Sequence, residues 1–195
     1  MPRAPVGVAC LLAVIFVVAT AAPLAVHRAM RQDDQDTAAF RQFHEEVARY
    51  LAIHTTLRAE VPGPVPQSTA RELNDASDML ANAIRRARPR PRQGDFFSAE
   101  AIRLITTRLR EALKSPNAAA ALAGIDDEQP ATLRPQLYLR FPAANEMATM
   151  PPSLLRLLPR VPAELEYRIV GEYLVLRDVK AAMIIDYIPK ALPRR

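Results

Sequence analysis

The sequence predicts an α+β fold, with about three main amphipathic helices packed on a small C-terminal antiparallel β-meander of two or three strands. In the first two thirds of the chain, apolar residues recur at three- and four-residue steps, which is typical of half-buried helices. Residues 165–188, LEYRIVGEYLVLRDVKAAMIIDYI, instead alternate like strands. The 18 prolines among 195 residues predict short elements joined by stiff connections.

Composition limits the function classes. Half of the residues are hydrophobic, which is enough for a core. The net charge of +5 is spread along the chain and supports only weak attraction to anionic surfaces. The five glycines argue against phosphate-cradling loops. The single cysteine, Cys10, lies in the N-terminal apolar run, so the remaining chain can form neither a disulfide nor a cysteine-based metal site.

The N-terminus predicts export. Arg3 precedes an apolar run, and Ala19-Thr20-Ala21 is a small-residue cleavage site, so residues 1–21 are interpreted as a signal peptide. The alternative is an uncleaved inner-membrane anchor over residues 4–26, because the run is long enough to span a bilayer. Both alternatives place the remaining chain in the periplasm.

Residues 37–192 are predicted to form a single exported domain. It comprises a helical body (37–115), a Pro-rich connection with short helices (116–163) and the β-meander (164–188). The connection is expected to hold a short helix over 118–123 and a helical turn from Pro151-Pro152 to Leu158. Residues 137–141 are an extra short strand or an extended arm.

The first helix is predicted to begin at Thr37, after an irregular lead-in over 32–36, and to end by Val61 before a run of prolines. Its apolar face contains Phe40, Phe43, Val47, Tyr50, Leu51, His54 and Leu57.

The second and third helices have predicted caps. Thr69 and Glu72 form a capping box for the second, which should stop near Arg88. Its apolar stripe consists of Leu73, Ala76, Leu80, Ala83 and Ile84. Gly94 and Asp95 turn the chain, and Ser98 caps the third helix, which extends towards Pro116.

In the meander, Gly171-Glu172 is predicted to form a two-residue turn with glycine first, and Asp178 a turn residue. The predicted core positions are Tyr167, Ile169, Leu174 and Leu176. Four charged residues are expected to line one face of the meander, where they form cross-strand ion pairs or a peptide- or ligand-binding surface: Glu166, Arg168, Arg177 and Asp186.

One group of residues invites a metal or acid–base interpretation: His44, Glu45, Glu46 and His54. The spacing does not fit a metal-binding HExxH helix, since position 48 is alanine. His54 on the apolar stripe also fits a histidine at the edge of the core. No serine lies in a nucleophile-elbow context. We therefore assign no catalytic, cofactor-binding or metal residues.

Five arginines lie within eight residues: Arg85, Arg86, Arg88, Arg90 and Arg92. No aromatic residue interleaves with them, and export removes nucleic acid as a partner. Two interpretations remain. The arginines contact anionic lipid phosphates or an envelope protein, or they form a solvated Pro-Arg connector.

Four stretches carry a family resemblance: RYLAIH with Leu57, RQGDFFS at 92–98, TMPPSLL at 149–155, and LEYRIVG continuing through LVL and DV to Ile185-Asp186. On these stretches, which extend over about residues 40–192, the chain resembles a family of uncharacterised exported bacterial proteins. The resemblance implies export and the domain organisation above. It implies no activity, cofactor or catalytic residue.

Taken together, the sequence predicts a non-enzymatic binding or structural module of the cell envelope. One alternative is a small periplasmic hydrolase or metal-handling protein that uses His44, Glu45, Glu46 or His54. Another alternative is a membrane-anchored accessory subunit.

Overall fold

A computed structural model describes residues 22–61, 67–126, 134–140 and 148–193. The chain divides into two compact units, Met1–Asp34 and Gln35–Arg195. The predicted signal peptide, residues 1–21, lies outside the described residues, as do residues 4–21 of the alternative anchor. No helix in the described part has the length and apolar content needed to cross a bilayer.

The fold is α+β, as predicted, with the helices preceding most of the sheet. The elements in chain order are α1 (Ala22–Glu60), α2 (Ala70–Ala87), α3 (Ala99–Ala112), α4 (Pro116–Asp126), β1 (Ala148–Thr149), α5 (Pro152–Leu155), β2 (Leu165–Val170), β3 (Tyr173–Asp178) and β4 (Met183–Ile188).

The predicted start of the first helix was wrong. The backbone of α1 is already helical from Ala22, and not only from Thr37. Pro23 lies in the first turn, where proline is tolerated, and residues 24–36 contain neither glycine nor a further proline. An apolar stripe reports burial on one face, so its absence over 32–36 did not exclude helix.

The predicted caps of α2 and α3 are confirmed. The Thr69 side chain accepts from the Glu72 amide at 3.2 Å, and the Thr69 amide donates to Glu72 Oε2 at 2.7 Å, which completes the capping box. Arg88 ends α2, and the Ser98 hydroxyl accepts from the Ala101 amide at 3.2 Å. These side chains satisfy amides that a helix start leaves without partners.

The four strands form one antiparallel sheet in the order β1-β2-β3-β4. The three predicted strands are present, and β1 is an additional two-residue edge strand. Beyond β4, the segment 138–140 pairs with the other edge. The Tyr138 amide donates to the Ile184 carbonyl at 2.8 Å, and the Ile184 amide donates to the Leu139 carbonyl at 3.1 Å. Of the two predicted alternatives, a short strand or an extended arm, the segment is therefore an arm that makes an isolated β-bridge with β4.

One core joins the helices to the sheet within Gln35–Arg195. Phe43, Val47 and Tyr50 of α1 are buried in it, together with the predicted Tyr167, Ile169, Leu174 and Leu176 of the meander. On α2, Leu80 and Ile84 are buried, but Leu73 is 45% exposed. Leu73 lies on the predicted apolar stripe but stays exposed, because the first turns of α2 lie at the margin of this core.

Candidate functional site

The carboxyl group of Asp186 binds the backbone of the turn before α3. The Gly94 amide donates to its Oδ1 at 3.0 Å, and the Phe96 and Phe97 amides donate to its Oδ2 at 2.9 and 3.0 Å. The Tyr187 amide donates to Oδ1 at 2.8 Å. Burial raises the pKa of Asp186, although the four amide hydrogen bonds act in the opposite direction. One carboxyl group thereby ties β4 to the start of α3.

The sequence RQGDFF shapes the turn that Asp186 binds. The Asp95 amide donates to the Arg92 carbonyl at 3.1 Å, and the Arg92 amide donates to Asp95 Oδ2 at 3.0 Å. Gly94 has a φ of +89°, a region that favours glycine. This confirms the predicted turn at Gly94 and Asp95. The turn also directs the successive amides of Phe96 and Phe97 at one acceptor, the Asp186 carboxyl group.

A β-bulge places Asp186 on the inner face of the sheet. Leu176 pairs with Asp186, but the next residue, Arg177, pairs with Ile184, so Ile185 is the extra residue of β4. A bulge reverses the alternation beyond it. The prediction that Asp186 lines one face with Glu166, Arg168 and Arg177 was wrong for Asp186.

The three remaining residues of that prediction do cluster. Glu166 accepts from Arg168 Nη2 at 2.7 Å and from Arg177 Nη1 at 2.5 Å. Burial alone would raise the pKa of Glu166, but the hydrogen bonds and charges of the two arginines outweigh it and lower the pKa. These charges are therefore largely engaged with one another.

Asp178, at the end of β3, is the second buried carboxyl group. Its Oδ1 accepts from the Ala181 amide at 2.7 Å, which confirms the predicted turn role. Its Oδ2 accepts from the Tyr50 hydroxyl of α1 at 2.6 Å, and His54 Nε2 lies 3.3 Å away from the same oxygen. Burial, and then the Asp178 charge, raise the pKa of Tyr50 well above its usual value. Asp178 thus anchors α1 to the sheet.

Arg88 packs against Tyr50 and Phe96, two aromatic residues that donate to the buried carboxyl groups. Its guanidinium carbon is 5.5 Å from the Tyr50 ring centroid and 5.2 Å from that of Phe96. The Tyr50 and Phe96 rings pack edge to face at 5.6 Å, and Arg88 Nη2 is 3.5 Å from Asp95 Oδ2. The turn bound by Asp186 and the α1 contact of Asp178 therefore share one aromatic and cationic junction.

The structure divides the predicted arginine cluster. Arg85 donates to Asn82 Oδ1 and to the Tyr138 carbonyl, both at 2.8 Å, and Arg88 lies in the junction described above. The other three arginines have exposed side chains: Arg86, Arg90 and Arg92. Two of the five arginines therefore stabilise the fold and contribute little to a shared surface.

The structure does not bring His44, Glu45, Glu46 and His54 together. His44 and Glu45 are exposed and Glu46 pairs with Arg49, whereas His54 is 3% exposed and faces Asp178. Ten residues of helix separate the two histidines by roughly 15 Å along α1. Within the described ranges, no three or more His, Cys, Asp or Glu side chains are grouped to hold a metal ion.

Among the described residues, two surface clefts are candidate binding sites. The Arg58 cleft, of about 200 Å³, is lined by Arg58, Leu73, Ala76, Ser77, Leu80, Val179 and Lys180. The Lys190 cleft, of about 490 Å³, is lined by Arg110, Leu113, Lys114, Glu172, Lys190, Leu192 and Pro193. Neither cleft was predicted, because each combines residues from elements far apart in the chain.

The anchoring roles of Asp178 and Asp186 were also missed. Asp186 follows Met183-Ile184-Ile185, and a single acid in such an apolar run signals a buried, hydrogen-bonded carboxyl group. The sequence therefore indicates a buried carboxyl group at Asp186. It does not identify the donors, Gly94, Phe96 and Phe97, because they lie about ninety residues earlier in the chain.

Comparison of the chain with protein-family models, with curated proteins and with solved structures finds no match.

Proposed function

We propose that this chain is a non-enzymatic, exported binding or structural module of the bacterial cell envelope. The observation that carries the proposal is the use made of its buried polar groups. Asp186 accepts four backbone amides, and Asp178 accepts from Tyr50 and Ala181. A carboxyl group that is buried and hydrogen-bonded in this way supports the fold and is inaccessible to substrate.

Export is supported by the sequence. A basic start, an apolar run and the Ala19-Thr20-Ala21 site are the pattern of a secretory signal peptide. The resemblance to exported bacterial proteins adds to this expectation. The mature chain would then begin at Ala22.

The test of export is the intact mass of the protein after expression in a Gram-negative host, together with cell fractionation. We expect a periplasmic chain whose mass corresponds to a start at Ala22. A full-length chain in the inner-membrane fraction would support the anchored accessory subunit instead. A full-length chain in the cytoplasm would overturn the proposal.

The non-enzymatic part of the proposal is tested by metal analysis and by binding. We expect the purified chain to carry no stoichiometric transition metal and to retain a periplasmic protein, lipid or peptidoglycan in affinity capture. A stoichiometric metal that is lost in His44→Ala would support the metal-handling alternative. His44 is exposed, so this substitution leaves the core intact.

A further inference from the structure

The Arg58 cleft combines two cations with an apolar wall. Arg58 comes from the last turn of α1, Lys180 from the turn between β3 and β4, and Leu73, Ala76 and Leu80 from one face of α2. No carboxylate among the described residues lines the cleft. The electrostatic field inside it therefore favours an anion.

Arg58 is positioned in advance of binding. Its Nη1 donates to the Val61 carbonyl at 3.2 Å, which orients the half-buried side chain. A guanidinium group has five N–H donors in a planar fork, and within the described residues this is the one hydrogen bond that Arg58 makes. The remaining donors have the geometry that binds two oxygens of a phosphate group.

The other cation and the cleft margin complement Arg58. Lys180 is exposed and makes no ion pair with a described residue, so its ammonium group can contribute a second positive charge. Leu73 is 45% exposed and lines the same cleft. A ligand with a phosphate group next to a hydrocarbon segment would bury Leu73 while its charge contacts Arg58 and Lys180.

The volume fits an end group of a ligand. A cleft of about 200 Å³ holds roughly six or seven water molecules, given about 30 Å³ for each water in the liquid. It is smaller than the roughly 300–1,000 Å³ of pockets that enclose a whole drug-sized ligand. A headgroup phosphate with its first few carbons matches this size.

The Lys190 cleft has a weaker electrostatic case. Glu172 lines it, and Lys114 is paired with Glu111 at 2.6 Å. Arg110 and Lys114 also lie at the C-terminal end of α3, where cations offset the partial negative charge of the helix. The charges of Arg110 and Lys114 are thus explained without a ligand.

We infer that the Arg58 cleft binds the phosphate headgroup of an anionic phospholipid, with Arg58 and Lys180 holding the phosphate and Leu73 contacting the adjoining hydrocarbon. This assignment rests on the proposed envelope function, because a phospholipid surface is what an exported envelope protein meets. It replaces the arginine cluster as the lipid contact, since Arg85 and Arg88 are engaged within the fold.

The experiment titrates the chain, as purified from cells, with dihexanoyl-phosphatidylglycerol below its micelle concentration. Calorimetry measures affinity, and amide chemical shifts of Ser77, Val179 and Lys180 report the location. We expect these amides to shift. We also expect the double variant Arg58→Gln/Lys180→Gln to bind about tenfold more weakly, a change of the size expected for lost phosphate contacts.

The matched control is Arg71→Gln/Arg103→Gln. It removes two positive charges from exposed arginines of α2 and α3 that line neither cleft, so its net charge equals that of the cleft variant. We expect it to retain affinity within about threefold, as for charges outside the site. If Arg58→Gln fails to fold, Lys180→Gln alone serves as the test, since this side chain is exposed.

Three outcomes would overturn the inference: no binding by the unmodified chain, equal weakening in both double variants, or inorganic phosphate binding as tightly as the lipid. Equal weakening would indicate general charge attraction, and tight phosphate binding would indicate a free-phosphate site. Each of these results leaves the export measurement untouched. Conversely, a cytoplasmic chain would overturn the proposed function while the titration still reports on the cleft.

Discussion

At the scale of single residues, two buried carboxyl groups carry much of the specificity of this fold. Asp186 and Asp178 are each 0% exposed, and both bind groups that are distant in the sequence. An unsatisfied buried polar group is costly, so each aspartate favours the one arrangement in which its partners are present.

Replacing Asp186 tests this directly. In Asp186→Asn, one oxygen becomes an NH₂ donor and faces amides that are also donors. We expect the free energy of unfolding to fall by about 1–3 kcal/mol for each buried amide left without an acceptor. Urea denaturation measures the change. The control, Asp75→Asn on the exposed side of α2, should stay within about 0.5 kcal/mol of the unmodified chain. Similar values for both variants would contradict the role of Asp186.

The raised pKa of Asp186 has a consequence for stability. In the folded chain the group binds its proton more readily than in the unfolded chain, where the ordinary value is 3.8. As the pH rises from below 3.8 through the folded pKa, this group therefore lowers the stability of the fold. We expect the unmodified chain to lose stability relative to Asp186→Asn over that window, as measured by urea denaturation at several pH values. A carboxyl carbon NMR titration of Asp186 with a midpoint below 3.8 would contradict it.

At the scale of elements, residues that are close in the sequence form the caps and turns, and these determine where each helix or strand begins and ends. The capping box of α2, the Ser98 cap of α3 and the glycine-first turn between β2 and β3 depend on residues within a few positions of one another. The turn before α3 is different, because its amides also need the acceptor on β4.

Two glycine substitutions separate local strain from close approach. Gly94 has a φ of +89°, and an added Cβ would lie 3.3 Å from the Phe97 carbonyl oxygen, whereas Gly171 has a φ of +53° and open space around it. Gly171→Ala should cost roughly 1–2 kcal/mol for the left-handed backbone alone. Gly94→Ala should cost more, because the turn must also shift against Asp186. Equal losses in thermal or urea unfolding would show that the turn tolerates the shift.

At the scale of the whole molecule, one core connects the helices to the sheet within Gln35–Arg195. Phe43 of α1 stacks on Phe97 at 5.5 Å, and Phe97 is 6.4 Å from Tyr167 of β2. With Tyr50 bound to Asp178, α1 and the sheet depend on each other for burial. A meander of this size is marginally stable alone.

This mutual dependence predicts one cooperative transition. We expect circular dichroism at 222 nm, which reports helix, and tyrosine fluorescence, which is not obscured by tryptophan in this chain, to change at the same urea concentration. Tyr50→Phe removes a hydrogen bond to a carboxyl group and should lower the free energy of unfolding by about 1.5–3 kcal/mol. Both urea midpoints should fall together. The control is Tyr173→Phe in the half-buried pair with Tyr187. Two separate transitions would contradict a core shared by the helices and the sheet.

The sequence by itself determined the secondary structure of most of the described domain. The apolar face of α1 from Phe40 to Leu57, the caps at Thr69 and Ser98, and the three strands of 165–188 were all predicted correctly. Each depends on periodicity or on contacts within one turn, which a linear sequence displays directly.

Only the tertiary structure decided which residues meet across the chain. The bulge at Ile185 places Asp186 on the inner face, where it binds the turn at 94–97. Tyr50 donates to Asp178 across a separation of 128 residues. Arg85 and Arg88 make contacts within the fold. The Arg58 cleft likewise exists only where α1, α2 and the β3–β4 turn converge. The physical reason is that strand register and long-range hydrogen bonds depend on packing between elements, and local sequence does not specify that packing.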